Sequence, residues 1–103
     1  DYDPKAAAKN LTALAEAPLR QLAEAFAALP EWRAEPIHET VKKVAEEQGL
    51  ALGKVAQPLR VAISGTAISP PIDITLELLG RTKTLARIDR ALRHICQDVG
   101  NRS

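Results

Sequence analysis

The chain of 103 residues holds one cysteine, no methionine and three aromatic residues, Tyr2, Phe26 and Trp32. A single thiol, Cys96, excludes an internal disulfide and fits a reducing compartment. The scarcity of aromatic and clustered β-branched residues leaves little from which to build strands. No apolar run approaches the length of a membrane span. No cleavable signal pattern opens the chain. A start at Asp1-Tyr2-Asp3-Pro4 without methionine is expected of a processed chain or a piece of a longer protein.

Excess charge is also missing. Lys plus Arg is 14 and Asp plus Glu is 13, a formal net charge of +1. That balance excludes a protein that coats nucleic acid by bulk charge, and leaves room only for a local basic face. Phosphate-loop spacings are lacking too: Ser64-Gly65-Thr66 fits neither G-x-x-x-x-G-K-[ST] nor G-x-G-x-x-G. No C-x-x-C or H-x-x-x-H pair exists, and His94 and Cys96, two apart on a helix, point in different directions. No metal site is expected, so His38 and His94 read as surface groups and Cys96 as a small core residue. The carboxylates are scattered, with no acid/base spacing among them.

What the chain does have is helix-forming residues: hydrophobic residues are 46% of the chain, with alanine dominant. Asp3 caps a short helix opening at Pro4. Leu19, Leu22, Phe26 and Leu29 lie on one face of the next, with Pro18 in its first turn and Ala13–Ala17 as a separate piece. Trp32 covers the seam between helices. Pro36 opens a third helix, with Ile37, Val41 and Val44 inward and Gly49 as its cap. A fourth carries Val55, Leu59 and Ile63, and Pro58 predicts a kink or a late start there. Ser69-Pro70 predicts the N-cap of a helix with Ile72, Leu76 and Leu79 inward, ended by Gly80. Thr82 or Thr84 then begins the last helix, whose Leu85, Ile88, Leu92, Ile95 and Val99 give the clearest periodicity in the chain. The expected fold is all-α, a compact bundle of five to six short helices. It forms a single domain, with leading helices in 1–34 and the core of the unit in 35–103.

Two features could carry function. Lys83, Arg87, Arg90 and His94 recur at helical spacing, with Arg81 and Arg93 nearby. An ordinary charged outer face accounts for them as well as contact with RNA does. Arg60 stands apart as the only charge between Lys54 and Asp73. Its guanidinium forks two donors suited to a base edge or a phosphate. Ser69 offers a hydroxyl, Pro70 and Pro71 stiffen the loop, and Ile72 offers an apolar contact. That set suits reading a splayed, single-stranded base better than catalysis.

The sequence GKVAQPLRVA over 53–62, Ser64-Gly65-Thr66, Ser69-Pro70 and LLGRTKTLARI over 78–88 resemble the C-terminal part of a bacterial glutamyl-tRNA synthetase. The resemblance is specific across Leu52 to Leu92, and the preceding helices are also similar. It implies an all-α anticodon-binding domain, a fragment without the catalytic domain and without catalytic residues. The fragment binds no cofactor of its own; ATP and magnesium are implied for the parent enzyme, a glutamate–tRNA ligase. The implied partner is the tRNA for glutamate, the setting cytoplasmic, and the chain a monomer without membrane contact. Carried over, the anticodon contacts fall on Arg60 and Gln57 of the Q-P-L-R motif and on Ser69, Pro70 and Ile72. Arg81, Lys83, Arg87 and Arg90 are candidate contacts to the tRNA backbone. The family's other anticodon arginine belongs to an upstream helical subdomain. Two departures stand out: Pro71 where the family usually has glycine, and Asp73 where it often has an aromatic. The rival reading, which explains the balanced charge, is a helical protein-interaction module without RNA binding.

Overall fold

Asp3 begins the bundle as its chemistry requires: a carboxylate oxygen accepts the Ala6 N–H at 3.0 Å, and Pro4 takes the first helical position. From there the chain, a computed structural model, runs through six helices among its described residues. They are α1 (Pro4–Asn10), α2 (Ala13–Ala28), α3 (Ala34–Gln48), α4 (Leu52–Ser64), α5 (Ile72–Leu79) and α6 (Arg81–Asn101). The structure describes residues 2–66 and 71–101, with side chains up to Gln97. Among these residues there is no strand, and the all-α expectation holds.

The inner faces meet in one core. Leu19, Leu22 and Phe26 of α2, Ile37, Val41 and Val44 of α3, and Val55 and Leu59 of α4 are all buried. Leu76 of α5 and Ile88, Leu92 and Ile95 of α6 complete the same cluster. Residues from 1–34 and from 35–103 therefore share one hydrophobic interior, with α2 packed against α3, α4 and α6. Trp32 covers the seam as expected. Its indole N–H donates to the Leu76 carbonyl at 2.8 Å, and its ring meets Phe26 edge-on at 5.4 Å.

Several boundaries differ from the sequence reading. Ala13–Ala17 is not a separate piece, since α2 runs through Pro18. The carbonyl that Pro18 leaves without a helical donor is that of Leu14, a residue 88% exposed, where water can serve it. Pro58 likewise sits inside α4, which starts early, at Leu52; the affected carbonyl belongs to exposed Lys54. Helix α3 begins two residues before Pro36, and its first N–H, on Ala34, is capped from another helix by Glu77 at 2.6 Å. The last helix starts at Arg81 rather than at Thr82 or Thr84, because the Thr84 N–H already donates to the Gly80 carbonyl at 3.1 Å; the buried Thr84 hydroxyl bonds to the same carbonyl at 2.8 Å. Gly80, at φ 95 and ψ 155, is the single-residue corner between α5 and α6 and uses a backbone region essentially restricted to glycine.

Two side-chain placements also need correction. Cys96 is exposed, not core. It lies about 100° around the helix from buried Ile95, which turns it off the inner face. Leu85 is only partly buried; Thr84 and Ala91 occupy the inward positions beside Ile88, Leu92 and Ile95. Val99 lies outside the residues whose side chains are described.

Candidate nucleic-acid interface

Helix α4 presents Val55, Leu59 and Ala62 to the core, and at its half-buried margin it carries Gln57 and Arg60. These two are three residues apart and therefore neighbours on the helix surface. Both hold a polar atom that is sealed from solvent without a hydrogen bond among the described residues: Gln57 Oε1 and Arg60 Nε. No ion pair joins Arg60 to Asp73. A buried donor without a partner is uncommon in folded proteins and calls for an explanation. Here it sits one turn before the end of α4, at the root of the loop that leads to α5.

That root is held from several sides. Gly65 ends α4 with φ 84, and its N–H reaches the Val61 carbonyl at 2.8 Å. The Ser64 hydroxyl bonds to the carbonyls of Arg60 at 2.7 Å and Thr66 at 3.0 Å. The Asp3 N–H donates to the Gly65 carbonyl at 2.7 Å, which pins the first residues of the chain onto the loop. Arg87, from α6, donates to the Ile63 carbonyl at 2.7 Å. A guanidinium there satisfies one of the orphan carbonyls at the helix end and complements the negative end of its dipole.

The loop itself carried two of the expected contacts, Ser69 and Pro70, and these lie outside the described residues. The expected N-cap at Ser69 is not where α5 begins. The cap position is Pro71, which has no side-chain donor or acceptor. Ile72, taken as an apolar contact for a base, is buried at 8% exposure and belongs to the core cluster. As the first residue of α5 it faces inward with Leu76, one turn on.

The expected basic stripe on α6 divides. Arg81 is not a free surface cation: it donates to the Leu29 carbonyl at the end of α2 and stacks over Trp32 at 5.5 Å. With its guanidinium taken up by that carbonyl and that ring, it serves the junction of α2, α3 and α6. Lys83 is exposed. Arg87 touches the end of α4, and Arg90 lies over the Tyr2 ring at 5.5 Å. His94 meets the same ring edge-on at 5.1 Å. Arg93 pairs with Asp89 within α6.

Tyr2 is the member of this surface that sequence reasoning missed. Nothing in its spacing marks it; the Asp3–Gly65 bond and its own packing against the core hold it beside α6. Burial pushes its phenol above the usual tyrosine range, and the neighbouring Arg90 cation pulls it back in part. Among the described residues no group of three His, Cys, Asp or Glu side chains is placed to hold a metal ion, and no helix is long and apolar enough to cross a membrane. His38 is exposed on α3.

Six helices on one core, with arginines and a tyrosine ring gathered where α4 ends against α6, define an all-helical domain with a basic edge. A family profile described as an anticodon binding domain matches residues 1–92, and the chain belongs to that family. Over 99 residues it is 48% identical to glutamate–tRNA ligase 2 of Coxiella burnetii (strain Dugway 5J108-111), covering 96% of this chain and 21% of that protein. It is 50% identical over 99 residues to glutamate–tRNA ligase 2 of Halorhodospira halophila, with the same 96% and 21% coverage. The chain thus spans about a fifth of the length of the curated relatives it matches, 21% in both cases. Among solved structures, a glutamate tRNA ligase from Elizabethkingia meningosepticum in complex with its amino acid superposes with a TM-score of 0.86 at 32% identity. That match covers 92% of this chain and 19% of the other.

Proposed function

We propose that this chain recognises the anticodon of the tRNA for glutamate, as one part of a glutamate–tRNA ligase. Arg60 carries the reading. It is a half-buried guanidinium whose Nε is shut from water without a hydrogen bond among the described residues, at the root of the α4–α5 loop. A splayed base would accept from the terminal nitrogens of this guanidinium, which make no hydrogen bond among the described residues. Gln57, one turn earlier, supplies an amide beside it, and Ser69 and Pro70 shape the pocket from the loop. The family match over residues 1–92 supports the class of ligand. Lys83, Arg87 and Arg90 are the proposed contacts to the tRNA backbone, without Arg81.

The mechanism is recognition rather than bond making. ATP and magnesium, needed by a ligase of this kind, are proposed to act in the part of the enzyme outside this chain, and no residue here is assigned to them. We propose a monomer acting in the cytoplasm. The test compares binding of an RNA stem-loop bearing the glutamate anticodon with one whose first two anticodon bases are changed. Wild type should prefer the first. Arg60→Ala should lose about 1–3 kcal/mol of that preference, the worth of a bidentate contact to a base edge. Arg60→Lys should recover only part of it, because a point charge cannot copy the fork. Equal binding of both stem-loops by wild type would reject base reading. Failure to bind either at low salt would favour the protein-interaction module.

A further inference from the structure

Helix α5 is apolar on two sides, and the bundle covers only one of them. Ile72 and Leu76 are buried in the core, and Leu79 packs against it. Ile74 and Leu78 each stand two residues from Leu76, about 200° around the helix, and so point away from that core. They are four residues apart and lie one above the other, 47% and 81% exposed. A helix that is hydrophobic all round is normally covered all round. Single exposed leucines need no explanation, but an apolar ridge rimmed by charge is the form an interaction site takes.

The charge beside the ridge decides what could cover it. Glu77, next to Leu78, lines a groove of about 610 Å³ at the start of α3 together with Glu31, Glu35 and Glu39. Arg33 is the one basic residue among the groove's lining, and Glu31 already pairs with it at 3.2 Å. Glu77 gives one oxygen to the Ala34 N–H at 2.6 Å. Glu35 and Glu39 make no ion pair among the described residues, and as like charges one turn apart on α3 they repel each other. A polyanion, whether nucleic acid or an acidic lipid surface, is turned away by this set. A second copy of the same face would bring like charges together across a two-fold interface. A cationic segment with an aliphatic stripe gains from both features, since an amphipathic helix lays its apolar face on such a surface and pairs its flanking charges at the margin.

We propose that the outer face of α5 docks a basic amphipathic helix of another protein, with aliphatic side chains on Ile74 and Leu78 and lysines or arginines toward Glu35, Glu39 and Glu77. The apolar ridge supplies the anchor, and the carboxylates set orientation and speed of encounter. None of the residues proposed for RNA contact belongs to this face, so the proposal stands independently of the anticodon reading.

The test uses the 103-residue chain and a synthetic helical peptide without tryptophan, carrying leucines along one face and lysines at its margins. Trp32, the sole tryptophan, lies between the groove residues Glu31 and Arg33 and bonds to the Leu76 carbonyl of α5, so its fluorescence reports occupancy. Saturable binding is expected, with amide shifts confined to α5 and the start of α3, and it should vanish when the peptide's lysines are replaced by glutamates. Leu78→Ala keeps a helix-forming residue at an exposed position and should weaken binding about tenfold. Glu35→Gln combined with Glu39→Gln should weaken it less and reduce its salt dependence. Leu14→Ala, as exposed but on α2, should change nothing. No saturable binding at low salt, amide shifts spread over the whole chain, or wild-type affinity in Leu78→Ala would each overturn the proposal. A dimer seen by sedimentation and abolished by Leu78→Ala would overturn it in favour of a second copy. A melting temperature lowered by Leu78→Ala in the complete ligase, but not in this chain alone, would overturn it by showing that the rest of that enzyme covers the face.

Discussion

If Arg60 is kept for a ligand, the free protein should be no less stable without its charge. The side chain is half-buried, and its Nε is sealed from solvent without a hydrogen bond among the described residues. A buried donor left unpaired costs about 1–3 kcal/mol. Arg60→Ala removes that cost together with two methylenes beyond Cβ. At about 0.8 kcal/mol per buried methylene, halved for partial burial, the lost packing is about 0.8 kcal/mol. The first term outweighs the second, so Arg60→Ala should match wild type or exceed it by up to about 2 kcal/mol. Arg60→Met keeps the stem and discards the donor, and should be more stable by about 1–2 kcal/mol. In a domain of this size that is a rise of roughly 4–15 °C in melting temperature. The assay is thermal and urea unfolding of the three proteins, followed by circular dichroism. A loss above about 2 kcal/mol in Arg60→Met would refute the reasoning, since it would mean that the guanidinium is satisfied within the fold and structural.

The core prediction is more ordinary: Leu92, 8% exposed on the inner face of α6, should cost about 2–5 kcal/mol on replacement by alanine, and a loss under about half a kcal/mol in urea unfolding would place it at the surface. Trp32→Phe should cost about 0.5–1.5 kcal/mol for the lost bond to Leu76, and no more from that carbonyl, which still accepts the Gly80 N–H at 3.0 Å; an unchanged melt would deny the bond. Tyr2 is the sole tyrosine, so ultraviolet titration reads it directly, and Arg90→Gln should raise its pKa further by removing the cation that lowers it. The sign for stability follows from the raised folded value. The neutral phenol's contribution is whole below the unfolded pKa of 10.0 and is lost as pH climbs through the folded one, so unfolding should become easier only in that alkaline window.

Periodicity made most of the fold legible. Leu19, Leu22, Phe26, Ile37, Val41, Val44, Leu59 and Ile88 lie inward because a helix repeats every 3.6 residues and each sits on its apolar stripe. Boundaries were less legible where tertiary packing overrode a local rule. Pro18 and Pro58 each remove a backbone donor, yet both helices run through them because each proline is buried against the bundle and the deprived carbonyl belongs to an exposed residue. Ile72 shows the limit at the site. Spacing placed it on the inner face, where it is buried, and the family motif placed it at the ligand, which burial in the free chain does not test. Tyr2 had no signal at all, since its role depends on a hydrogen bond between Asp3 and Gly65, far apart in sequence.

The arginines show why charge in a sequence does not translate into function by count. Arg81 and Arg87 are both on α6, and both would be drawn as basic surface on a helical wheel. In the fold each reaches a carbonyl at the end of another helix, Leu29 for Arg81 and Ile63 for Arg87. A cation there answers an orphan acceptor and the negative pole of the helix, so stability alone explains its presence. Arg81 does only that, because the Leu29 carbonyl and the Trp32 ring take up its guanidinium. Arg87 stands at an open groove with one nitrogen engaged, so its structural role is compatible with the ligand role proposed for it. Arg60 has no such carbonyl among the described residues, and none of them pairs with its charge. Native proteins break local consistency mainly where function demands it. By that criterion Arg60 ranks first for recognition, Arg87 second, and Arg81 not at all. The order is tested by binding measured per folded molecule, where Arg81→Gln should lower the melting temperature and leave RNA affinity unchanged.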